Sequence, residues 1–203
     1  MAWKILHSNS ATRQGRLANS TTVDRTGLVA DARIYGLDGE EVWHNITNLN
    51  VPATNARDCF SLARPEIPDQ VHFVKLKLSS NNSVLSKNFY WSEAQGGDCT
   101  GLNALTQLSL PVSTDVATEG DTHKITVKLS NPNPAVALAI RLKAVRKASH
   151  ARVLPAMYED NYFSLLPGER KTVAVRFLTS ALGGEVPVLV VEGWNVQQES
   201  HCL

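Results

Sequence analysis

The alternation of apolar and polar residues predicts β-strands along nearly the whole chain. In residues 123–130, Ile125, Val127 and Leu129 share one face, and residues 172–178 alternate in the same way. Successive side chains of a strand point to opposite faces, so a period of two indicates strands that are buried on one side. Further strands are predicted at residues 28–37, 40–44, 57–62, 71–78, 84–91, 108–112, 136–145, 162–166 and 186–194. The chain shows no amphipathic helix longer than a turn or two, which excludes a parallel α/β architecture.

Turn residues separate these strands. Residues 160–169 form the most informative segment, because Pro167 presets φ for a turn and Gly168 permits a positive φ before the next alternating run. Asp38 and Gly39 predict a hairpin turn. Two segments poor in periodicity are expected to be loops, residues 48–55 and residues 64–69.

The length of 203 residues suits two sandwiches, since one immunoglobulin-type sandwich takes about 100 residues. The predicted fold class is therefore all-β, with two tandem immunoglobulin-like antiparallel β-sandwiches. The predicted segments are an unassigned N-terminal segment at 1–22, a sandwich at 23–93, a linker at 94–104, a C-terminal sandwich at 105–196 and a tail at 197–203.

Composition and charge exclude several classes of protein. Hydrophobic residues make up 43% and charged residues 19%, which is typical of a globular chain and not of a disordered one. A net charge of +1 gives no field that would collect nucleic acid or an anionic membrane. The one basic concentration, residues 141–152, has no interleaved aromatic residue for stacking on bases. We therefore expect no nucleic-acid partner, and no apolar run is long enough to predict a membrane span.

The residues for metal or cofactor chemistry do not cluster. Cys59, Cys99 and Cys202 show neither a CxxC pair nor metal-ligand spacing, and the six histidines are scattered. We expect no metal site and no cofactor. The first residues contain no apolar core typical of a signal peptide.

Glycoside hydrolysis requires two carboxyl groups that flank the scissile bond. The carboxylates in suggestive positions are Glu40, Glu41, Glu159, Asp160 and Glu169. Neighbours in a strand point to opposite faces, so the first two cannot readily converge on one substrate, and the others adjoin a turn that faces water. No catalytic residue is predicted.

Large aromatic residues offer the best route to carbohydrate contact, because their faces stack on the apolar faces of sugar rings. The candidates for carbohydrate or interdomain contact are Trp91, Trp194, Tyr158 and Tyr162. Packing in the core or against another domain is the alternative use of such side chains.

Three triplets match the acceptor sequence for N-linked glycans. They begin at Asn19, Asn45 and Asn81. These asparagines are candidate glycosylation sites, compatible with a secreted or vacuolar chain, although chance alone often supplies such triplets.

Several of these segments carry a family resemblance. Residues 160–169, the run Asn88-Phe89-Tyr90-Trp91 and the run Gly193-Trp194-Asn195 together resemble the C-terminal immunoglobulin-like region of family 2 glycoside hydrolases. The resemblance is to the exo-β-glucosaminidase and plant mannosylglycoprotein endo-β-mannosidase type, and it covers most of residues 23–196.

The resemblance implies a function without catalysis. The catalytic (β/α)₈ barrel of such enzymes takes about 250 residues and cannot fit in this chain. The implied function is a structural, barrel-supporting accessory module of a β-glycosidase acting on β-mannosyl or β-glucosaminyl linkages. The implied partner is a catalytic barrel, in cis or as a separate chain, with an oligosaccharide as a further candidate. The implied location is vacuolar or extracellular. The alternative is a stand-alone immunoglobulin-like binding or adhesion protein.

Overall fold

A computed structural model describes residues 4–6, 14–61, 70–94 and 97–203. The chain divides into two compact units, Met1–Ala104 and Leu105–Leu203. Strands dominate the described residues of both units, and the 3₁₀ turns Thr100–Ala104 and Thr179–Leu182 are short. No helix in these ranges is long and apolar enough to cross a membrane. The predicted all-β class is confirmed.

The first unit contains two antiparallel sheets. Its strands are β1 (Lys4–Leu6), β2 (Gln14–Asn19), β3 (Arg25–Tyr35), β4 (Glu41–Val51), β5 (Asn55–Ser61), β6 (His72–Ser80) and β7 (Ser83–Ser92). One sheet has the order β4-β3-β6-β7 and the other has the order β1-β2-β5. Alternate residues of β3 and β6, such as Ala32 and Leu76, stand opposite each other and point into one buried core. The register follows from burying this apolar face.

The second unit contains two four-stranded antiparallel sheets. Its strands are β8 (Val112–Glu119), β9 (Thr122–Ser130), β10 (Ala137–Arg146), β11 (Ala156–Tyr158), β12 (Phe163–Leu165), β13 (Arg170–Leu178), β14 (Pro187–Glu192) and β15 (Glu199–Cys202). The sheet orders are β12-β10-β14-β15 and β11-β13-β9-β8. Side chains from both sheets form one core, in which Ile125, Ile140 and Leu189 are fully buried. This is the packing of a β-sandwich.

The Pro-Gly turn joins the two sheets of the second unit. Strand β12 precedes it in one sheet, and β13 follows it in the other. Gly168 has φ +78°, a conformation that side-chain-bearing residues rarely adopt. Its amide donates to Asn131 O at 2.7 Å, and the Glu169 amide donates to Leu166 O at 3.1 Å. The predicted strand, turn and strand are confirmed.

Some local predictions were wrong. Residues 48–55 are not a loop, because β4 continues to Val51 and β5 begins at Asn55. The asparagines that suggested a loop, Asn48 and Asn50, occupy exposed positions of a strand. The strand expected at 108–112 is an isolated bridge between Leu108 and Val196. Strands β1, β2, β11 and β15 were not predicted, nor was β8 beyond its first residue, and the loop expected at 64–69 lies outside the described residues.

The structure separates the two units after residue 104. The finer bounds predicted for the segments 1–22, 23–93, 94–104, 105–196 and 197–203 remain predictions.

Candidate functional site

The four candidate aromatic residues fall into different environments. Trp91 lies in the first unit on β7, while Tyr158, Tyr162 and Trp194 belong to the second unit. Trp91, Tyr162 and Trp194 have 53%, 64% and 55% of their surface exposed, whereas Tyr158 is half-buried. Tyr162 immediately precedes β12, and Trp194 follows β14 by two residues. Strands β12 and β14 pair with opposite edges of β10.

Tyr158 has an internal role. Its hydroxyl oxygen accepts a hydrogen bond from the Ala144 amide at 2.9 Å, and its ring packs against the core of the second unit. A buried tyrosine ordinarily finds a polar partner for its hydroxyl in this way. The placement of Tyr158 favours the packing alternative.

Tyr162 is held at the surface by the residue that precedes it. Asn161 Oδ1 accepts from the Leu142 amide at 2.8 Å, and Asn161 Nδ2 donates to Leu142 O at 3.0 Å. The side chain of Asn161 thus makes the two hydrogen bonds to β10 that the backbone of a neighbouring strand would otherwise make. Tyr162 has φ +58°, an uncommon conformation for a bulky residue, while Phe163 after it is buried. The backbone is fixed at a point where an aromatic ring projects outward.

Trp194 is held by a second asparagine. Asn195 is 1% exposed, its Oδ1 accepts from the Leu138 amide at 2.9 Å, and its Nδ2 donates to Val136 O at 2.8 Å and Thr106 O at 2.9 Å. The Trp194 amide donates to Leu138 O at 2.9 Å. All donor and acceptor groups of this buried amide lie in the second unit and fix the bend that carries Trp194.

Gly193 allows the close approach that this bend requires. A Cβ at this position would lie 2.9 Å from Leu138 O and 3.1 Å from the side chain of Val196. The run therefore combines a close backbone contact at Gly193, an exposed ring at Trp194 and a buried, hydrogen-bonded amide at Asn195. We call Asn161 and Asn195, whose side-chain amides bond to the backbone of β10, the asparagine clamps.

Charged groups lie on β10 and β14 beside these rings. Arg141 Nη1 is 3.3 Å from Glu192 Oε1, and Lys143 Nζ donates to Glu192 Oε2 at 2.7 Å. The Arg141 guanidinium also lies over the Tyr162 ring, 5.7 Å from its centroid. We call Tyr162, Arg141, Lys143, Glu192 and Trp194 the β10 platform. Sequence reasoning identified its rings but not its ion pairs, because Glu192 lies about 50 residues from its partners in the chain.

Trp91 is associated with an aromatic group in the first unit. It stands opposite Phe73 in the β6–β7 register, and the Phe73 ring stacks on Phe89 with centroids 5.5 Å apart. Phe73 is fully buried. Trp91 thus borders packed aromatic residues of the first unit.

The carboxylates considered for catalysis have other partners. Glu159 Oε2 accepts from the Ala174 amide, Glu169 Oε2 accepts from the Leu166 amide, and Asp160 pairs with Lys171 at 2.6 Å. Glu41 pairs with Arg33 at 2.8 Å. Among the described residues, no group of three or more His, Cys, Asp or Glu side chains is arranged to hold a metal ion.

A charged network crosses the first unit. Asp31 is nearly buried and pairs with Arg33 at 2.9 Å and with Lys77 at 3.2 Å. Burial alone would raise the pKa of Asp31, but hydrogen bonds and charge attraction from Arg33 and Lys77 outweigh it and lower the pKa. Asp31 is therefore a structural carboxylate that remains ionised at neutral pH.

The three glycan acceptor positions are not equivalent. Asn19 is 1% exposed, and its Nδ2, the atom that would carry a glycan, donates to the backbone oxygens of Val23, Val51 and Pro52. Asn45 is half-buried on β4, while Asn81 is exposed in the turn between β6 and β7. The structure favours Asn81 over Asn19, and glycosylation itself remains a prediction.

The thiols also differ in their surroundings. Cys59, Cys99 and Cys202 are free, and they are buried, half-buried and exposed respectively. Burial raises the pKa of the Cys59 thiol to about 11, which suppresses its thiolate at neutral pH.

Family models match both units. The model for the exo-β-D-glucosaminidase Ig-fold domain matches residues 88–196, which is more than half of the chain. The chain belongs to this family. A second model, for the mannosidase Ig/CBM-like domain, matches residues 17–95. The exo-β-D-glucosaminidase Ig-fold model includes the whole β10 platform and both of its asparagine clamps. The family resemblance inferred from the sequence is confirmed.

Curated relatives are much longer than this chain. An exo-β-D-glucosaminidase from Amycolatopsis orientalis is 27% identical over 201 residues, which cover 87% of this chain and 19% of the relative. A mannosylglycoprotein endo-β-mannosidase from Lilium longiflorum is 24% identical over a match covering 96% of this chain and 27% of the relative. An exo-β-D-glucosaminidase from Arthroderma benhamiae is 28% identical, with 96% and 22% covered. The chain thus spans about a fifth to a quarter of their length.

Solved structures support the same fold. The crystal structure of the Amycolatopsis orientalis exo-chitosanase CsxA matches with a TM-score of 0.85 and 24% identity, covering 99% of this chain and 26% of that chain. Its E541A variant, in complex with PNP-β-D-glucosamine, matches with a TM-score of 0.85 and 25% identity over the same shares. Two tandem immunoglobulin-like sandwiches are therefore the fold of this chain.

Proposed function

We propose that this chain is a noncatalytic accessory module of a family 2 β-glycosidase that acts on β-glucosaminyl or β-mannosyl linkages. Membership of the exo-β-D-glucosaminidase Ig-fold domain family carries the proposal. The chain spans 19% to 27% of the curated relatives, so most of each relative lies outside the matched region. The catalytic barrel would belong to that remaining part, in cis or on a separate chain.

The chemistry of the described carboxylates agrees with a supporting role. A retaining glycosidase needs two carboxyl groups about 5 to 5.5 Å apart, one of which must be able to donate a proton. Glu159 and Glu169 accept backbone hydrogen bonds, and Asp160 pairs with a lysine. These three carboxylates are thus engaged in contacts that hold the fold of the second unit.

The first test measures the mass of the polypeptide in its source. An antibody against this chain should detect a band several times heavier than 22.2 kDa on a denaturing gel, or a band at 22.2 kDa that copurifies with a barrel-sized chain. A 22.2 kDa monomer that copurifies with no glycosidase would contradict the proposal and favour the stand-alone binding protein.

The second test measures hydrolysis. The purified chain should release no p-nitrophenol from p-nitrophenyl β-D-glucosaminide or β-D-mannoside above the rate of a heat-denatured sample. Turnover that copurifies with the chain and persists after repeated chromatography would show an intrinsic activity and overturn the noncatalytic assignment.

A further inference from the structure

The β10 platform has an ionic centre between two exposed rings. Arg141 and Lys143 both contact Glu192, and all three side chains are partly buried. The cores of protein interfaces are depleted of charged residues, so this arrangement is unlike the apolar centre of a protein-docking surface. A sugar, in contrast, offers apolar faces for the rings and hydroxyl groups for fixed donors and acceptors. The combination of rings and ion pairs therefore matches a sugar better than it matches a protein partner.

The backbone that carries each ring is fixed in the free protein. Asn161 fixes the backbone at Tyr162 through two bonds to Leu142, and Asn195 fixes the bend at Trp194 through bonds to β10 and its flanking segments. Arg141 is oriented by both Tyr162 and Glu192. Groups that are ordered in the free protein lose less conformational entropy on binding. A fixed platform is suited to a weakly interacting ligand such as a short glycan.

The spacing of the rings suits a short oligosaccharide. Tyr162 lies one residue beyond the pair formed by Ile140 and Phe163, so it stands beside Arg141. Trp194 follows Glu192, the partner of Arg141, by two residues on the other side of β10. Two strand spacings and a two-residue offset separate these backbones by roughly 12 Å. Such a ligand would cross β10 and pass over the ion pairs.

The charge of the platform selects among oligosaccharides. Two cationic side chains share one carboxylate, which leaves a positive excess. This excess disfavours a polycationic glucosamine oligomer, because like charges repel most strongly where water is partly excluded. We propose that the β10 platform binds a neutral β-linked oligosaccharide, with Tyr162 and Trp194 as stacking rings and Arg141 and Glu192 as hydrogen-bonding groups.

Titration calorimetry and ligand-observed NMR on the full chain test this proposal, with β-1,4-mannotriose and triacetylchitotriose as neutral probes. At least one neutral trimer should bind, and Trp194→Ala and Tyr162→Ala should each weaken it about tenfold, as the loss of a stacking contact does. The melting temperatures of both variants identify any loss that comes from unfolding. Trp91→Ala is the matched control, because Trp91 is equally exposed but belongs to a sheet of the other unit.

A conservative variant separates ring stacking from folding. Trp194→Phe keeps an aromatic face at the same bend and should retain most of the affinity that Trp194→Ala loses. Glucosamine trimer, which is polycationic, should bind more weakly than the neutral probe, and Glu192→Gln should widen that difference.

Three outcomes would overturn the proposal: no binding of either neutral trimer, loss of affinity on Trp91→Ala but not on Trp194→Ala, or tightest binding of the glucosamine trimer. The first would leave the platform as a surface for protein contact. The accessory role is tested separately, by the mass of the native polypeptide and by hydrolysis, so either proposal can fail without the other.

Discussion

At the scale of single residues, buried asparagines organise this protein. Asn19, Asn131 and Asn195 are each at most 1% exposed, and every one bonds to backbone groups through both ends of its amide. An amide side chain can satisfy one donor and one acceptor of a strand where the ladder stops. These residues therefore supply hydrogen-bond partners to backbone groups where strands end or bend inside the sandwich.

Replacement of Asn195 should destabilise the second unit. Asn195→Ala leaves the Leu138 amide and the oxygens of Val136 and Thr106 without their partners, which we expect to lower the free energy of unfolding of the second unit by about 3 kcal/mol. Urea denaturation followed by circular dichroism measures the change. Asn48→Ala, on an exposed strand position, is the control and should change stability by less than about 0.5 kcal/mol. Equal effects of the two substitutions would show that the clamp does not stabilise the fold.

Asp31 should make the first unit sensitive to acid. Its pKa is lower in the folded state, so its contribution is complete above the unfolded pKa of about 3.9 and is lost as pH falls through the folded value. Asp31→Asn should therefore reduce stability at pH 7 and flatten the decline in melting temperature below about pH 4.

Asp115→Asn is the control for this pH dependence, since Asp115 pairs with Lys128 on a well-exposed surface. Its profile should follow that of the parent chain. If the melting temperature of Asp31→Asn fell with acid as steeply as that of the parent chain, this would contradict the role given to Asp31.

At the scale of elements, alternation predicted strands with one apolar face and missed strands whose sequences are short or mostly polar. Strands such as β9 and β13 were predictable because each buries one face on the core of its own sandwich. Strand β11 has three residues, and β15 carries polar side chains, so neither shows a period of two. Both segments form strands because a neighbouring strand pairs with them. That pairing cannot be recognised from the sequence of the segment itself.

The candidate site likewise contains residues that the sequence could reveal and residues that only the structure reveals. Trp194 and Tyr162 could be proposed from the sequence because large aromatics beside turns are conspicuous. Glu192 could not, because its pairing with Arg141 depends on the register between β10 and β14. Asn161 and Asn195 look like ordinary turn residues in the sequence, and only their bonds to β10 reveal their role.

The bend after β14 should be intolerant of a single methyl group. Gly193→Ala would place Cβ 2.9 Å from the backbone oxygen of Leu138, which cannot move without disturbing β10. We expect a loss of about 1 to 3 kcal/mol in urea denaturation. Gly101→Ala is the matched control, since its Cβ would make ordinary contacts of 3.5 Å or more. A Gly193→Ala chain as stable as Gly101→Ala would show that the bend relaxes freely.

At the scale of the whole molecule, each unit contains its own core. The second unit buries twenty residues in one cluster drawn from both of its sheets. Such a core is the property expected of an independently folding domain. A fragment of residues 105–203 should therefore show dispersed amide signals in NMR and a cooperative thermal transition. A fragment with collapsed signals and no transition would show that the second unit depends on residues before 105.

Strand β15 has a consequence for association between molecules. It pairs along β14, whose run Val188-Leu189-Val190-Val191 is buried, and presents a mostly polar edge in its place. Removal of residues 199–203 would expose the hydrogen-bonding groups of a strand rich in β-branched residues, a template for edge-to-edge pairing. We expect the truncated chain to scatter light on mild heating at concentrations where the parent chain stays clear. A clear solution would show that β14 is protected in another way. The last few residues look like an uninformative tail in the sequence, but their pairing with β14 gives them an expected role in protecting the second unit against aggregation.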